Sequence, residues 1–362
     1  MQAFFAVVDG LCEEEEKCSE KISNEMGIII IKILFVTLLV VLLYSSSGVN
    51  SDQLQVGFYG DSCHCAESVV KDEVTKAFMN SRGVAAGLIR MHFHDCFVRG
   101  CDGSILVDSA TSNTAEKDSS ANNPSLQGFE VIDNAKARLE SECRGVVSCA
   151  DILAFAARDS VEISGGLGYD VPGGRRDGRV SIASETLTEL PAPTLNVNQL
   201  TQLFATKGLT QEEMVTLSGA HTIEQSHCSS FRDRLYNFNG SMSRDPSLND
   251  RYAAKLRQQC PQENTNSANY DLVVPMNPAG PADTMDVSYY VGLLRNRGLF
   301  TSDQTLMTNP DTANEVYRYA TYQDPLLWKH KFAGAMVKMG QIGVLTGYAG
   351  EIRANCRVIN QY

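Results

Sequence analysis

Arg90 and His94 stand four apart in RMHFHDCFVRGCDGS, residues 90–104, so a helix brings them to one face, one turn apart, while His92 points elsewhere. A guanidinium and an imidazole aimed together from a rigid element can move a proton on a small polar substrate and stabilise the negative charge that develops. Asp95 follows directly, then Cys96 and Cys101 five apart, then Asp102 and Ser104. Hard oxygen donors bunched beside a short cysteine loop suit a calcium ion. Singly, these residues read as a core histidine, an exposed arginine and a solvated acidic turn. Their concentration in one short run favours a site. A zinc site on His92, His94 and Asp95 is disfavoured, because neighbours this close do not suit one tetrahedral ion.

The elements that must carry such a site are mostly helices. Ser148 with Asp151 caps ADILAFAARDSV, and Thr210 with Glu213 forms a capping box before MVTLSGAH. Asp245-Pro246 and Asp324-Pro325 each read as an N-cap followed by proline at the first helical position. The second opens PLLWKHKFAGAMVKMG, whose Leu327, Phe332, Met336 and Met339 form a stripe expected to be core packing without cofactor contact. GGLGYDVPGGRRDG and ELPAPT read as loops, and strand signals are few. The fold class expected is mainly α.

Of the 362 residues, 43% are apolar and 20% charged, the balance of a globular protein. No repeat or long linker divides residues 53–362, which read as one domain. The formal charge is −12; residues 1–51 hold seven acids and three lysines, leaving −8 on the rest. That acidity argues against a nucleic-acid partner. Residues 27–44 are apolar except Lys32, and SSSGVNS follows. The uninterrupted part, Ile33 to Leu43, has the length of a signal-peptide core, so 26–51 reads as a signal peptide cleaved near Gly48–Ser51. A signal anchor kept in the membrane is the alternative. Residues 1–25 form an acidic leader of the wrong charge for a signal, and Met26 is a plausible true start. Without Cys12 and Cys18 of that leader, nine of eleven cysteines remain, which in an oxidising compartment means four bridges and one spare thiol. The sequon Asn239-Gly240-Ser241 fits a secreted glycoprotein.

RMHFHDCFVRGCDGSILVD closely resembles the distal-haem segment of the secreted plant peroxidases (class III haem peroxidases), and LSGAHT resembles their proximal segment. The resemblance covers essentially all of residues 53–362. It implies the haem peroxidase fold, distal and proximal helical halves around a buried haem b with little β. His221 would ligate iron. Met214, Leu217 and His221 share a helical face, and the small Ser218, Gly219 and Ala220 would let a flat macrocycle approach the backbone. Asp303, in GLFTSDQ, would accept the other N–H of His221. On the distal side His94 would be the base, Arg90 the charge stabiliser and Asn122 the acceptor that orients His94, with Glu116 behind it and Asn123 as the alternative. Phe93 would lie over the haem.

The same resemblance implies two calcium ions. For the first, the ligands would be Asp95, Asp102 and Ser104 side chains with the carbonyls of Val98 and Gly100, and Glu116 through water. For the second they would be Thr222, Asp271, Val274 and Asp286. There Val274 replaces a usual threonine, and Asp283 is an alternative to Asp286. The implied disulfides are Cys63–Cys143, Cys96–Cys101, Cys149–Cys356 and Cys228–Cys260, with Cys65 spare. Pro191 of LPAP would meet substrate at the haem edge, Ser120 stands where some relatives place an aromatic, and Tyr270 would flank His221. Arg175 and Asp151 would form a buried structural pair. His92, His227, His330 and Trp328 are assigned to packing or surface. The function implied is reduction of hydrogen peroxide to water with one-electron oxidation of small phenolic donors, serving lignin- or suberin-type coupling, peroxide removal or stress response. A monomer is expected, secreted to the cell wall or, alternatively, the vacuole, with no stable membrane association. An inactive wall-binding relative is the rival, and the intact Arg90, His94, Asn122, His221 and Asp303 argue against it.

Overall fold

The computed structural model describes residues 53–262, 272–277, 280–281, 283–321 and 326–361. The acidic leader, the apolar run at 27–44, Tyr270, Asp271 and Asp324-Pro325 lie outside the described residues. Thirteen α-helices run along the described residues: α1 (Ala66–Asn80), α2 (Val84–Val98), α3 (Phe129–Glu142), α4 (Cys149–Ile163), α5 (Thr186–Glu189), α6 (Val197–Thr206), α7 (Gln211–Ser218), α8 (Arg232–Tyr236), α9 (Asp250–Gln259), α10 (Ser288–Leu294), α11 (Thr301–Gln304), α12 (Pro310–Thr321) and α13 (Leu327–Met339). One antiparallel sheet joins β1 (Gln225–His227) to β2 (Val273–Pro275), with Ser226 opposite Val274.

Helix α4 is apolar on almost every side, so it has to be enclosed. Ser148 caps it by accepting from the Asp151 N–H (3.1 Å), and α1, α2 and α3 pack around it. Val70, Leu88, Met91, Ile132, Leu139, Leu153 and Phe155 fill that half. The second half gathers α6, α7, α10, α12 and α13 on Phe204, Met214, Tyr290, Leu293, Trp328 and Phe332. Helix α2 serves both cores. Leu88 and Met91 face the first, while Ile89 and Phe97 face the second. A smaller core under α8, α9 and the sheet holds Phe231, Leu235, Tyr252 and Leu256.

The capping box before α7 forms as expected, Thr210 and Glu213 each accepting the other's backbone N–H. Asp245-Pro246 does not open a helix. Asp245 instead accepts from the Ser247 N–H (2.8 Å) and from Arg234 Nε (2.7 Å), which closes a turn, and α9 starts later, capped by Asn249. A carboxylate already shared between a turn and a buried arginine has no lone pair left in position for a cap.

Cys63–Cys143, Cys96–Cys101, Cys149–Cys356 and Cys228–Cys260 are bonded, and Cys65 is the free cysteine among the described residues. Its sulfur lies 3.8 Å from that of Cys63. Arg175 and Asp151 form the buried pair expected (2.8 Å), with Tyr59 and the Gly174 N–H also on the carboxylate. Beyond α13 the chain returns to the first half. Arg353, fully buried, donates to the carbonyls of Gly103 (2.6 Å) and Cys356 (2.9 Å), and its N–H meets Asp177 (2.8 Å). No described helix is long and apolar enough to cross a membrane.

Candidate active site

Between the two halves lies a cavity of about 570 Å³, and both predicted imidazoles reach its wall: His94 from α2 and His221 from the tight turn Gly219–Thr222 that follows α7. That volume suits a cofactor-sized ligand.

On the α2 side, His94 Nδ1–H donates to Asn122 Oδ1 (2.6 Å). Asn122 is itself held by donating from Nδ2 to the Glu116 carbonyl (2.7 Å), so its oxygen must face the ring. That acceptor fixes the tautomer: the proton sits on Nδ1 and Nε2 is bare. Arg90 Nε–H then meets Nε2 (3.3 Å), while its other nitrogens donate to Ser125 Oγ (3.1 Å) and the Ala121 carbonyl (3.0 Å). Burial, then the Arg90 charge, pull the His94 pKa down to about 3 against the Asn122 bond. His94 is therefore a neutral imidazole whose Nε2 lone pair faces the Arg90 Nε–H over a long bond (3.3 Å), with the cation beside it. Asn123 is exposed and donates to Asp118 (3.4 Å), whereas Asn122 holds the bond to the ring and so takes the orienting position. Phe93 and Ser120 also line the cavity.

On the opposite side His221 Nδ1–H donates to Asp303 Oδ1 (2.7 Å). Asp303 also accepts from Tyr289 (3.1 Å) and from the Phe300 N–H (2.8 Å). Burial works against both charges, but the pair prevails: the His221 pKa is raised and that of Asp303 lowered. Nε2 of His221 is left free at the cavity wall.

Three assignments change. Phe332, Met336 and Met339 are buried as expected, yet they line the cavity, so this stripe serves packing and the site at once. Gly219 does not face the cavity as Ser218 and Ala220 do. A Cβ there would fall 2.5 Å from the Tyr290 hydroxyl and 2.6 Å from Trp328 Nε1, so its smallness admits those rings instead. His227, assigned to packing or surface, also lines the cavity from β1. The described aromatic neighbours of His221 are Tyr289 and Phe300, ring centroids 5.8 and 5.7 Å away. Phe300 stands in the GLFTSDQ segment that carries Asp303, a signal that could have found it, while nothing in the local sequence marks Tyr289.

A second cluster sits behind α2. Asp95, Asp102, Ser104 and Glu116 are all buried, and Ser104 Oγ and both carboxylate oxygens of Glu116 have no partner. Burial raises the pKa of Asp95 and of Asp102, and pushes that of Glu116 up to about 8. Buried acids with orphaned oxygens are the chemistry of a cation site. Gly100 shapes the loop, with φ +98° and no room for a Cβ against the Gly343 carbonyl. Near His221, Thr222 donates to Asp286 (2.9 Å), and Asn277 donates to Thr222 (3.1 Å) and to Ser288. Val274 is buried there, and Asp283 lines a small cavity with Thr222 and Val274. Pro191 lies on the wall of the large cavity beside Leu190 and Ala192.

A family model described as peroxidase matches residues 70–322. Peroxidase 5 of Vitis vinifera is 71% identical over 308 residues, covering 85% of this chain and 92% of that protein. Peroxidase 3 of Arabidopsis thaliana is 50% identical over 309 residues, with 85% and 92% covered. Peroxidase 1 of Zea mays is 50% identical over 312, with 85% and 83% covered. Two imidazoles facing one cavity thus occur in a sequence that follows known peroxidases for most of its length, and the chain belongs to the class III plant peroxidases, haem enzymes that reduce hydrogen peroxide.

Proposed function

We propose that His221 would hold the iron of a haem b in this cavity, that His94 and Arg90 would activate peroxide from the α2 side, and that small phenols are the donors. The observation that carries this reading is the matched pinning of the two imidazoles at Nδ1 on the wall of one cavity, with Nε2 of His221 unengaged and Nε2 of His94 held only by the 3.3 Å bond from Arg90. Bound there, haem supplies a redox-active iron that takes up the oxidising power of peroxide. Neutral His94 accepts a proton from the incoming hydrogen peroxide at Nε2 and returns it to the departing oxygen, which leaves as water. Asn122 holds the ring for both transfers. Arg90, fixed by Ser125 and Ala121, stabilises the charge that builds as the O–O bond breaks. Asp303 gives His221 strong anionic character, which favours the oxidised states of the site. Two phenols, each losing one electron and one proton, complete the reduction of peroxide to two waters. Phenols would meet the site near Pro191, with Phe93 restricting access to its centre.

Asp95, Asp102, Ser104 and Glu116, with the carbonyls of Val98 and Gly100, fit a calcium ion because the orphaned oxygens need one. For the second ion, Thr222 with Asp286, or with Asp283, is the candidate set, and Val274 brings no hydroxyl. Asp271 would complete it. A monomer secreted to the cell wall, with 26–51 removed and Asn239 glycosylated in its exposed turn, is the setting we infer.

The test is the spectrum of purified protein before and after one equivalent of peroxide. A red-shifted, weakened Soret band that guaiacol restores is the expected result. A Soret band that peroxide leaves unchanged would sink the reading.

A further inference from the structure

An unbroken stack of rings leads away from His221. Its imidazole meets Tyr289 edge-on (centroids 5.8 Å), Tyr289 meets Tyr290 (5.0 Å), and Tyr290 meets Trp328 (5.9 Å). All three side chains are almost wholly buried, Trp328 at 1% exposure. Gly219 makes the packing this close, since a Cβ there would strike both the Tyr290 hydroxyl and the indole nitrogen.

The hydrogen bonds sort these rings by what oxidation would require. A phenol holds a radical stably only after losing its proton to a base. Tyr290 donates to the carbonyls of Val215 (2.9 Å) and Thr216 (3.0 Å), which are not bases. Tyr319, a side branch at 4.9 Å from Tyr290, shares its hydroxyl only with Thr216 Oγ1. Tyr289 meets Asp303, but the same oxygen already takes the His221 N–H. An indole can give up an electron and keep its proton. Trp328 Nε1–H donates to the Thr216 carbonyl (3.0 Å), an acceptor whose bond strengthens when the indole becomes positive.

We propose that Trp328 is an internal one-electron donor to the haem site, acting through Tyr290 and Tyr289 when peroxide arrives and the cavity holds no phenol. This rests on the seating of haem against His221 argued above. In the step, one electron leaves the indole and reduces the peroxide-oxidised site by one equivalent. Trp328 is left as a radical cation, no bond is made or broken, and hydrogen peroxide is the oxidant. The stack would drain oxidising power from the cavity into the body of the second half.

Trp328 is the single tryptophan of the chain, so its signals need no assignment. Haem-loaded protein, mixed with stoichiometric peroxide without donor and freeze-quenched, is expected to show a radical by electron paramagnetic resonance that narrows on indole deuteration. Dioxygen dissolved in the buffer adds to part of the indole radical, so peptide mass analysis should then find ring-oxidised Trp328, and guaiacol in the mix should prevent both. Trp328→Phe should lose the signal while turning over guaiacol at the wild-type rate. Tyr290→Leu, which keeps the indole, should lower Trp328 oxidation severalfold. Met79 and Met242, 80% and 78% exposed, report attack by bulk peroxide. Absence of both the indole radical signal and ring-oxidised Trp328 in aerated wild-type protein whose Soret band has responded to peroxide would overturn the proposal and leave the peroxidase reading standing. So would equal Trp328 oxidation in haem-free protein or in Tyr290→Leu.

Discussion

The two walls of the cavity use the same side chain for opposite ends. Each imidazole donates Nδ1–H over a nearly equal distance, 2.6 Å to Asn122 and 2.7 Å to Asp303. The neutral amide, with Arg90 close by, leaves His94 unprotonated down to about pH 3. The carboxylate raises the proton affinity of His221. What differs is the charge of the acceptor and the sign of the neighbour, and these suit the two imidazoles to the separate roles proposed for them, proton carrier and metal ligand.

Four experiments press on that comparison. Removing the ligand should do most: His221→Ala is expected to lose haem on gel filtration, with the Soret band, whereas His94→Ala should keep both. His94→Ala should slow the peroxide step by roughly 10²–10⁴, the usual worth of a positioned base. An unchanged rate in stopped flow would remove His94 from that role. Exchanging the acceptors sharpens the contrast further. Asp303→Asn should cost about 10–100-fold in haem retention or peroxide rate. Asn122→Asp should raise the His94 pKa, and because the neutral form is the base, the peroxide rate should then fall at low pH and recover as pH rises. The wild-type rate should be flat above about pH 3. Smallest is calcium removal. Chelation should leave the imidazoles in place but lower thermal stability, by about 3 kcal/mol if the ion is present near 100 times its dissociation constant. A melting curve indifferent to chelator would remove calcium from the cluster around Glu116.

Much of this arrangement could be read from the chain itself, and the limits have physical causes. Arg90 and His94 are legible because they lie one helical turn apart, and Thr210 with Glu213 because a capping box is local. Asn122, His221 and Asp303 are separated by long stretches, and only the family resemblance joined them. Phe332 and Met336 show where periodicity stops. It identifies the buried face of α13 but not whether that face meets helices or a cavity. The smallness of Gly219 suggests a gap for a ligand but admits Tyr290 and Trp328, since a missing side chain does not say what comes close. Asp245-Pro246 looked like a cap because its competitor, Arg234, lies eleven residues upstream.

The returning segment beyond α13 has a bearing on how the protein is made. Arg353 and the Cys149–Cys356 bond, spanning 207 residues, fasten it to the loop carrying Gly103 and to the start of α4. The first half therefore emerges from the ribosome long before the piece that locks it, and Cys149 has no native partner to meet until the second half has been synthesised.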